Sequence, residues 1–240
     1  MDLSKAESYY VAYKSGEQNL IDMLKRGDDI HSYVASNIYG VPMQQVIDEA
    51  ASGNKLKRQV GKKAGHGANY NMGVNTFMDQ CLKEDLILTK AEAANALEGY
   101  HRAFPAIRRW HRSIQQEIRN KSYLENPLGF GRYFWGRRDD KTFREAYAFE
   151  PQSTIPMVMN HLLLYLCKLR DMGQVQFSLH LQVHDSIVLS IKPEDVTRFT
   201  QLCNDIKKWH PPISFHTGDM WIPVDCEWGP NLKDLQPATT

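Results

Sequence analysis

Twelve residues near the end of the chain, "HLQVHDSIVLSI" (His180–Ile191), limit the fold more than any other stretch. On both sides of His184-Asp185 the residues alternate or run apolar and β-branched, as in a half-buried or buried strand. Strands of this kind rarely keep an unpaired carboxylate, so something must compensate Asp185. Two readings stand side by side. Asp and Ser favour turns, so "HDS" can be a hairpin tip with its carboxylate in water. Alternatively the partner is a metal ion, and a second carboxylate has to come from elsewhere in the chain.

With 240 residues and 42% hydrophobic content the chain can bury a sizeable core in one or two domains. A formal net charge of +1 neither demands nor excludes nucleic acid, because clustering decides, and the basic residues do cluster locally. Cys81, Cys167, Cys203 and Cys226 are far apart, with no short paired spacing, which points to neither a zinc site nor a disulfide framework. Reduced, intracellular thiols are the simpler reading. No signal peptide and no run of about 18 apolar residues is present; the longest candidate, "IPMVMNHLLLYLCKL", is broken by Asn160 and His161. The expectation is a soluble chain that engages no membrane.

Along the chain, residues 2–13 read as a strand end turning into a short segment, and 17–25 and 28–38 as helices. Asp29 is the N-cap of the second, and "YGVP" stops it. A helix over about 43–51 ends at "SGN", before the basic run "KLKRQVGKKAGHGANYNMG". Residues 89–121 are helical, with a Thr89/Glu92 capping box and Pro105 opening a second helix. "NPLGFGRYFWGRRDD" is turn and strand, 142–170 is helical around Pro151 and Pro156, and 175–191 is a strand pair. An amphipathic helix spans 194–208, and "WIPVDCEWG" is a last strand. The fold class is α+β, with helices in the middle and strands at both ends.

Within the basic run Arg58, Lys62, His66 and Tyr70 stand four apart, so a helix places them along one face. Such a face can carry phosphates or simply be solvated. Gly61, Gly65 and Gly67 weaken the helix, each by about 1 kcal/mol relative to Ala. A phosphate-binding Gly-rich loop is excluded, because Gly61-Lys62 is followed by Lys63 rather than Ser or Thr and no strand precedes it.

Taken in order, "DLSKAESYYVAY", "SGEQNLIDMLKRGDDIHSYVASNIYGVP", the Arg58/Lys62/Tyr70 helix, "FPAIRRW" and "QVHDSIVL" resemble the polymerase module of family A DNA polymerases over essentially the whole chain. The resemblance implies a palm of antiparallel sheet and helices over 1–13 and 100–240, and helical fingers over 14–99, with no thumb or exonuclease domain. It implies that Asp2 and Asp185, with the backbone carbonyl of Leu3, hold two Mg²⁺ ions, or Mn²⁺ in their place, for nucleotidyl transfer from a dNTP to a primer 3′-hydroxyl. Lys62 would serve catalysis and, with Arg58 and His31, the triphosphate; Glu7 and Tyr70 would exclude a ribose 2′-hydroxyl. His66 would lie against the incoming nucleotide. Arg132, Gln152 and His184 would contact the primer–template DNA.

Several positions depart from the family pattern. His66 stands where Phe or Tyr is usual, Ser186 replaces the Glu that follows the second Asp, and "AFEPQST" is shorter than its counterpart. Asp2 also follows Met1 directly, which leads to the expectation of a split or truncated form needing an upstream thumb- or exonuclease-bearing companion chain. A single-subunit RNA polymerase shares the two Asp residues but has a small residue at the position of Glu7. A non-catalytic DNA- or nucleotide-binding fragment is the remaining alternative. An intracellular setting, the cytoplasm of a bacterium or a phage-infected cell, follows from the resemblance.

Overall fold

The structure, a computed structural model, describes residues 1–207, 209, 211 and 213–238. In chain order the elements are β1 (Asp2–Leu3), α1 (Ala6–Ser15), α2 (Gln18–Arg26), α3 (Ile30–Tyr39), α4 (Met43–Ala51), α5 (Leu56–Asn69), α6 (Val74–Leu82), α7 (Lys90–Ala103) and α8 (Pro105–Lys121). There follow β2 (Tyr123–Glu125), β3 (Gly131–Tyr133), α9 (Asp140–Asp171), β4 (Ser178–Val183), β5 (Ser186–Ser190) and α10 (Val196–Ile206). Short strands β6 (Ser214–Phe215), β7 (Gly218–Asp219), β8 (Val224–Asp225), β9 (Glu227–Trp228) and β10 (Gln236–Pro237) complete the chain. The α+β class expected from sequence is therefore observed. The helix expected over 194–208 runs from Val196 to Ile206, and Lys208 lies outside the described residues.

Two compact units form. The first comprises Met1–Tyr10, Glu125–Phe130 and the residues from Pro151 onward; the second comprises Val11–Leu124 and Gly131–Glu150. This partition follows packing density, and its boundaries differ from the palm and fingers division expected from the sequence, 1–13 and 100–240 against 14–99.

In the first unit, an antiparallel sheet has the order β4-β5-β1-β8, so the two-residue β1 sits between strands from the far end of the chain. Its side chains alternate, with Leu3 fully buried and Asp2 exposed. Around them Tyr10 meets Phe215 edge-on at 5.6 Å and Tyr9 meets Trp221 at 6.0 Å. The amphipathic α10 buries Phe199, Leu202, Cys203 and Ile206. At about 1.5–3 kcal/mol for each large apolar side chain removed from water, these contacts hold a short, otherwise marginal sheet together.

The second unit is a helical bundle. Asp29 caps α3, its carboxylate accepting from the backbone N–H groups of His31 (3.2 Å) and Ser32 (3.3 Å), and Thr89 and Glu92 form the expected capping box on α7. Pro105 opens α8, where the buried carboxylate of Glu17 accepts the Ala106 N–H at 2.8 Å. An anion at a helix N-terminus satisfies an orphan donor and the helix dipole together. Helix α5 packs against α3 at Gly61, with Val60 and Ala64 buried beside it in the sequence. A Cβ at Gly61 would collide with the His31 carbonyl oxygen and sit 3.0 Å from the Ala35 nitrogen. That glycine sets how closely the two helices approach, which offsets its poor helix propensity.

Candidate functional site

Two groups of candidate residues take shape, one in each unit. In the first, Asp2 lies directly opposite Ser186 on β5 and Asp225 on β8. Residues opposed across antiparallel strands project to the same face, so two carboxylates share one side of the sheet here. His184 and Asp185 are the two-residue turn between β4 and β5, with His184 at a φ of 53°. The backbone of that turn is fastened to β1: the Leu3 N–H donates to the Asp185 carbonyl at 2.9 Å, and the Ile187 N–H donates to that of Met1 at 2.8 Å.

The hairpin-tip reading of "HDS" thus describes the backbone correctly, while the Asp185 carboxylate does not stand alone. Although the residue is largely exposed, partial desolvation of its carboxylate, and next the like charge of Asp185, hold the Asp2 carboxyl above its ordinary range. Asp225 and Glu227 push in the same direction and the N-terminal ammonium opposes them. Asp2, Asp225 and Glu227 border a groove of about 880 Å³. Asp225 and Glu227 escaped the sequence reading; the alternating acids in "VDCEWG" were the available signal. Among the described residues no set of three or more His, Cys, Asp or Glu is placed to hold a metal ion. The neighbouring Asp2 and Asp185 remain as hard oxygen donors with excess negative charge, which suits a divalent cation such as Mg²⁺. Glu7 stands in the first turn of α1, Gln152 is exposed in α9 just after Pro151, and His184 is exposed in the turn.

In the second unit, α5 carries Arg58, Lys62 and His66 on its outer face, with Lys62 and His66 exposed. Tyr70 follows at the C-cap, and its ring meets that of His66 edge-on at 5.8 Å. Arg58 makes a fork to Asp29, Nε to Oδ2 at 2.7 Å and Nη2 to Oδ1 at 3.2 Å. That one carboxylate also caps the helix bearing His31, so it ties two candidate phosphate-binding residues to a common anchor. Although burial opposes it, the Arg58 and Ser32 bonds hold the Asp29 carboxyl below its ordinary range. Arg132 pairs with Glu145 at 2.9 Å.

The end of α5 is pinned by Asn69, which is buried. Its Oδ1 accepts from the Tyr100 hydroxyl at 2.6 Å, and its carbonyl oxygen lies 2.8 Å from His111 Nε2. Burial, followed by the Arg108 charge, pushes His101 down to about 4; burial does the same to His111. Both fall from an ordinary value near 6.5, so the unfolded chain binds more protons than the folded one as pH drops below that value. Stability is full above about pH 6.5 and declines toward pH 4, by about 3 kcal/mol per histidine. Urea unfolding at pH 7, 6 and 5 checks this in a window above the usual carboxylate range. A flat profile there would show that burial does not lower either histidine from its ordinary range.

The sequence profile of DNA polymerase family A matches residues 1–234. Thermostable DNA polymerase I of Thermus thermophilus is 31% identical over 236 residues, which cover 95% of this chain and 26% of that protein. DNA polymerase I of Geobacillus stearothermophilus is 27% identical over 244 residues, 98% of this chain and 26% of that protein. Among solved structures, the POL domain of Pol1 from M. smegmatis, in complex with DNA primer-template and dNTP, superposes with a TM-score of 0.72 at 22% identity. That match covers 92% of this chain and 37% of the other. The chain therefore spans about a quarter of the length of the curated relatives it matches.

Proposed function

Because the chain belongs to DNA polymerase family A, we propose that it carries the nucleotidyl-transfer centre of a DNA-templated DNA polymerase, with palm over 1–13 and 100–240 and fingers over 14–99. The observation that carries this reading is the fastening of the Asp185 turn to β1, which brings Asp2 and Asp185 within electrostatic reach of each other from opposite ends of the sequence.

Asp2, Asp185 and the Leu3 carbonyl would hold two Mg²⁺ ions. When bound, those ions supply the positive charge that stabilises the phosphoryl group in transfer and the pyrophosphate leaving it. The protein itself positions and neutralises. On α5, Arg58 offers a planar fork and Lys62 a point charge to the triphosphate of a dNTP, with His31 alongside. Glu7 and Tyr70 are assigned the exclusion of a ribose 2′-hydroxyl, and His66 a role toward the incoming nucleotide. Arg132, Gln152 and His184 contact primer–template DNA, the last two as donors to the minor-groove acceptors that hardly vary with sequence. A thumb-bearing segment, on the same polypeptide or a companion chain, retains the duplex product. The setting is intracellular, and no helix among the described residues is long and apolar enough to cross a membrane.

The test is single-nucleotide extension of a primed template. Incorporation should require Mg²⁺, stop on chelation, and rise when a thumb-bearing fragment is added. Metal-independent DNA binding with no incorporation under any of these conditions would leave a binding fragment instead. Glu7→Ala should raise ribonucleotide incorporation relative to deoxynucleotide by about tenfold or more, one hydroxyl's worth of exclusion being roughly 1–3 kcal/mol. An unchanged ratio would remove Glu7 as the sugar gate and favour an RNA polymerase.

A further inference from the structure

The β2–β3 hairpin and the residues after it bear an aromatic row that the proposed chemistry leaves unused. Tyr133 and Trp135 are two apart in extended chain, hence on one face, and their rings stack at 4.8 Å with planes 12° apart. Tyr123, across on β2, adds a third ring 4.8 Å from Tyr133. Gly131 makes room for it, since a Cβ there would run into the Tyr123 ring and hydroxyl.

This row is not core. Phe134, on the opposite face, is 3% exposed and packs under the Arg132 guanidinium at 4.8 Å, whereas Trp135 is 81% exposed and Tyr133 54%. So large an apolar ring left in water marks an interaction surface more often than a folding element.

The surroundings are cationic. Between residues 131 and 145, Arg132, Arg137, Arg138, Lys141 and Arg144 stand against Asp139, Asp140 and Glu145. Glu145 is engaged by Arg132. Arg138 is held by neutral groups, the carbonyl oxygens of Phe134 (3.5 Å) and Gly136 (3.2 Å) and the Ser122 hydroxyl (2.5 Å), and has no ion-pair partner among the described residues. Arg137 has no ion-pair partner among the described residues.

From this juxtaposition we infer that the Tyr123–Tyr133–Trp135 row is a stacking platform for unpaired bases of single-stranded DNA, whose phosphates meet Arg137 and Arg138. The choice of DNA as the strand rests on the function proposed above. Exposed aromatic faces beside arginines recognise unpaired strands because every base offers a π-face, and in a duplex those faces are covered. A protein partner of apolar chemistry would have to bury the flanking cations at a desolvation penalty.

The experiment measures fluorescence anisotropy of a labelled thymidine oligonucleotide of about 12 nucleotides, within the size range that stacking sites occupy. Blunt duplex of the same length is the comparison, with no nucleotide or divalent ion present. Trp135→Ala should weaken single-strand binding about five- to hundredfold and change duplex binding by less than about twofold. Trp135→Phe should keep most of the affinity, while Trp135→Leu, apolar and nearer in size to Phe but without a π-face, should lose it. Arg137→Gln should lower the slope of log affinity against log salt by about one. Unchanged single-strand affinity in Trp135→Ala, or equal loss on both DNAs, overturns the platform. Because binding is read without turnover, failure of primer extension with oligonucleotide binding intact would count against the polymerase reading alone.

Discussion

Asp185→Ala is expected to lower nucleotide incorporation by at least about a hundredfold, close to 2.7 kcal/mol of transition-state stabilisation, while primer–template binding stays within about threefold. The fold should survive the change. What Asp185 contributes to architecture is its backbone carbonyl, which accepts the Leu3 N–H and is untouched by trimming the side chain. Stability at neutral pH should rise slightly, since Asp2 is held above its ordinary range in part by the Asp185 charge and that repulsion disappears. Activity lost with melting temperature unchanged or higher is the signature of a group kept for chemistry at the expense of stability. Single-turnover incorporation with Mg²⁺ and thermal melts in chelator, where no bound ion masks the repulsion, measure the two sides. Retention of more than about a tenth of the rate would end the metal-holding assignment of Asp185.

Gly61→Ala is expected to destabilise the protein by about 3 kcal/mol, against a gain of about 1 kcal/mol that helix propensity alone would give. The two contributions have opposite signs, so the measured sign decides between them. The added carbon would meet backbone, the His31 carbonyl oxygen and the Ala35 nitrogen, rather than the end of a side chain that can swing away. Relief requires α5 to move off α3, which also lengthens the Asp29–Arg58 contacts. Urea midpoints on purified protein test this, and a variant as stable as the parent would mean that the α3 backbone yields freely.

Local features of the fold were legible in the sequence because they depend on residues a few positions apart. The Asp29 cap, the Thr89/Glu92 box, Pro105 at the head of α8 and the hairpin around His184-Asp185 all belong to this class. The candidate site was legible only through the order of several motifs. What escaped requires contacts between distant segments. Asp29 and Arg58 meet because α3 and α5 pack closely, and that follows from Gly61, which the sequence alone marks as a defect of its helix. Asp225 and Glu227 join the charge around Asp2 because β1 inserts between β5 and β8, an order that no local pattern encodes. "WIPVDCEWG" reads as one strand and forms two, β8 and β9, separated at the buried Cys226.

On the triphosphate-binding role proposed for Arg58, its fork to Asp29 would make ligand capture an exchange reaction. An incoming anion would compete with a carboxylate that already takes two of the guanidinium's N–H donors, and Asp29, if released, would keep its bonds to the α3 N-terminus. A singly charged metabolite gains little by such a swap, whereas a chain of phosphates brings more charge than the carboxylate it replaces. On that proposed role the resident acid would act as a threshold filter, turning weak anions away from α5 without any steric gate while keeping the guanidinium paired.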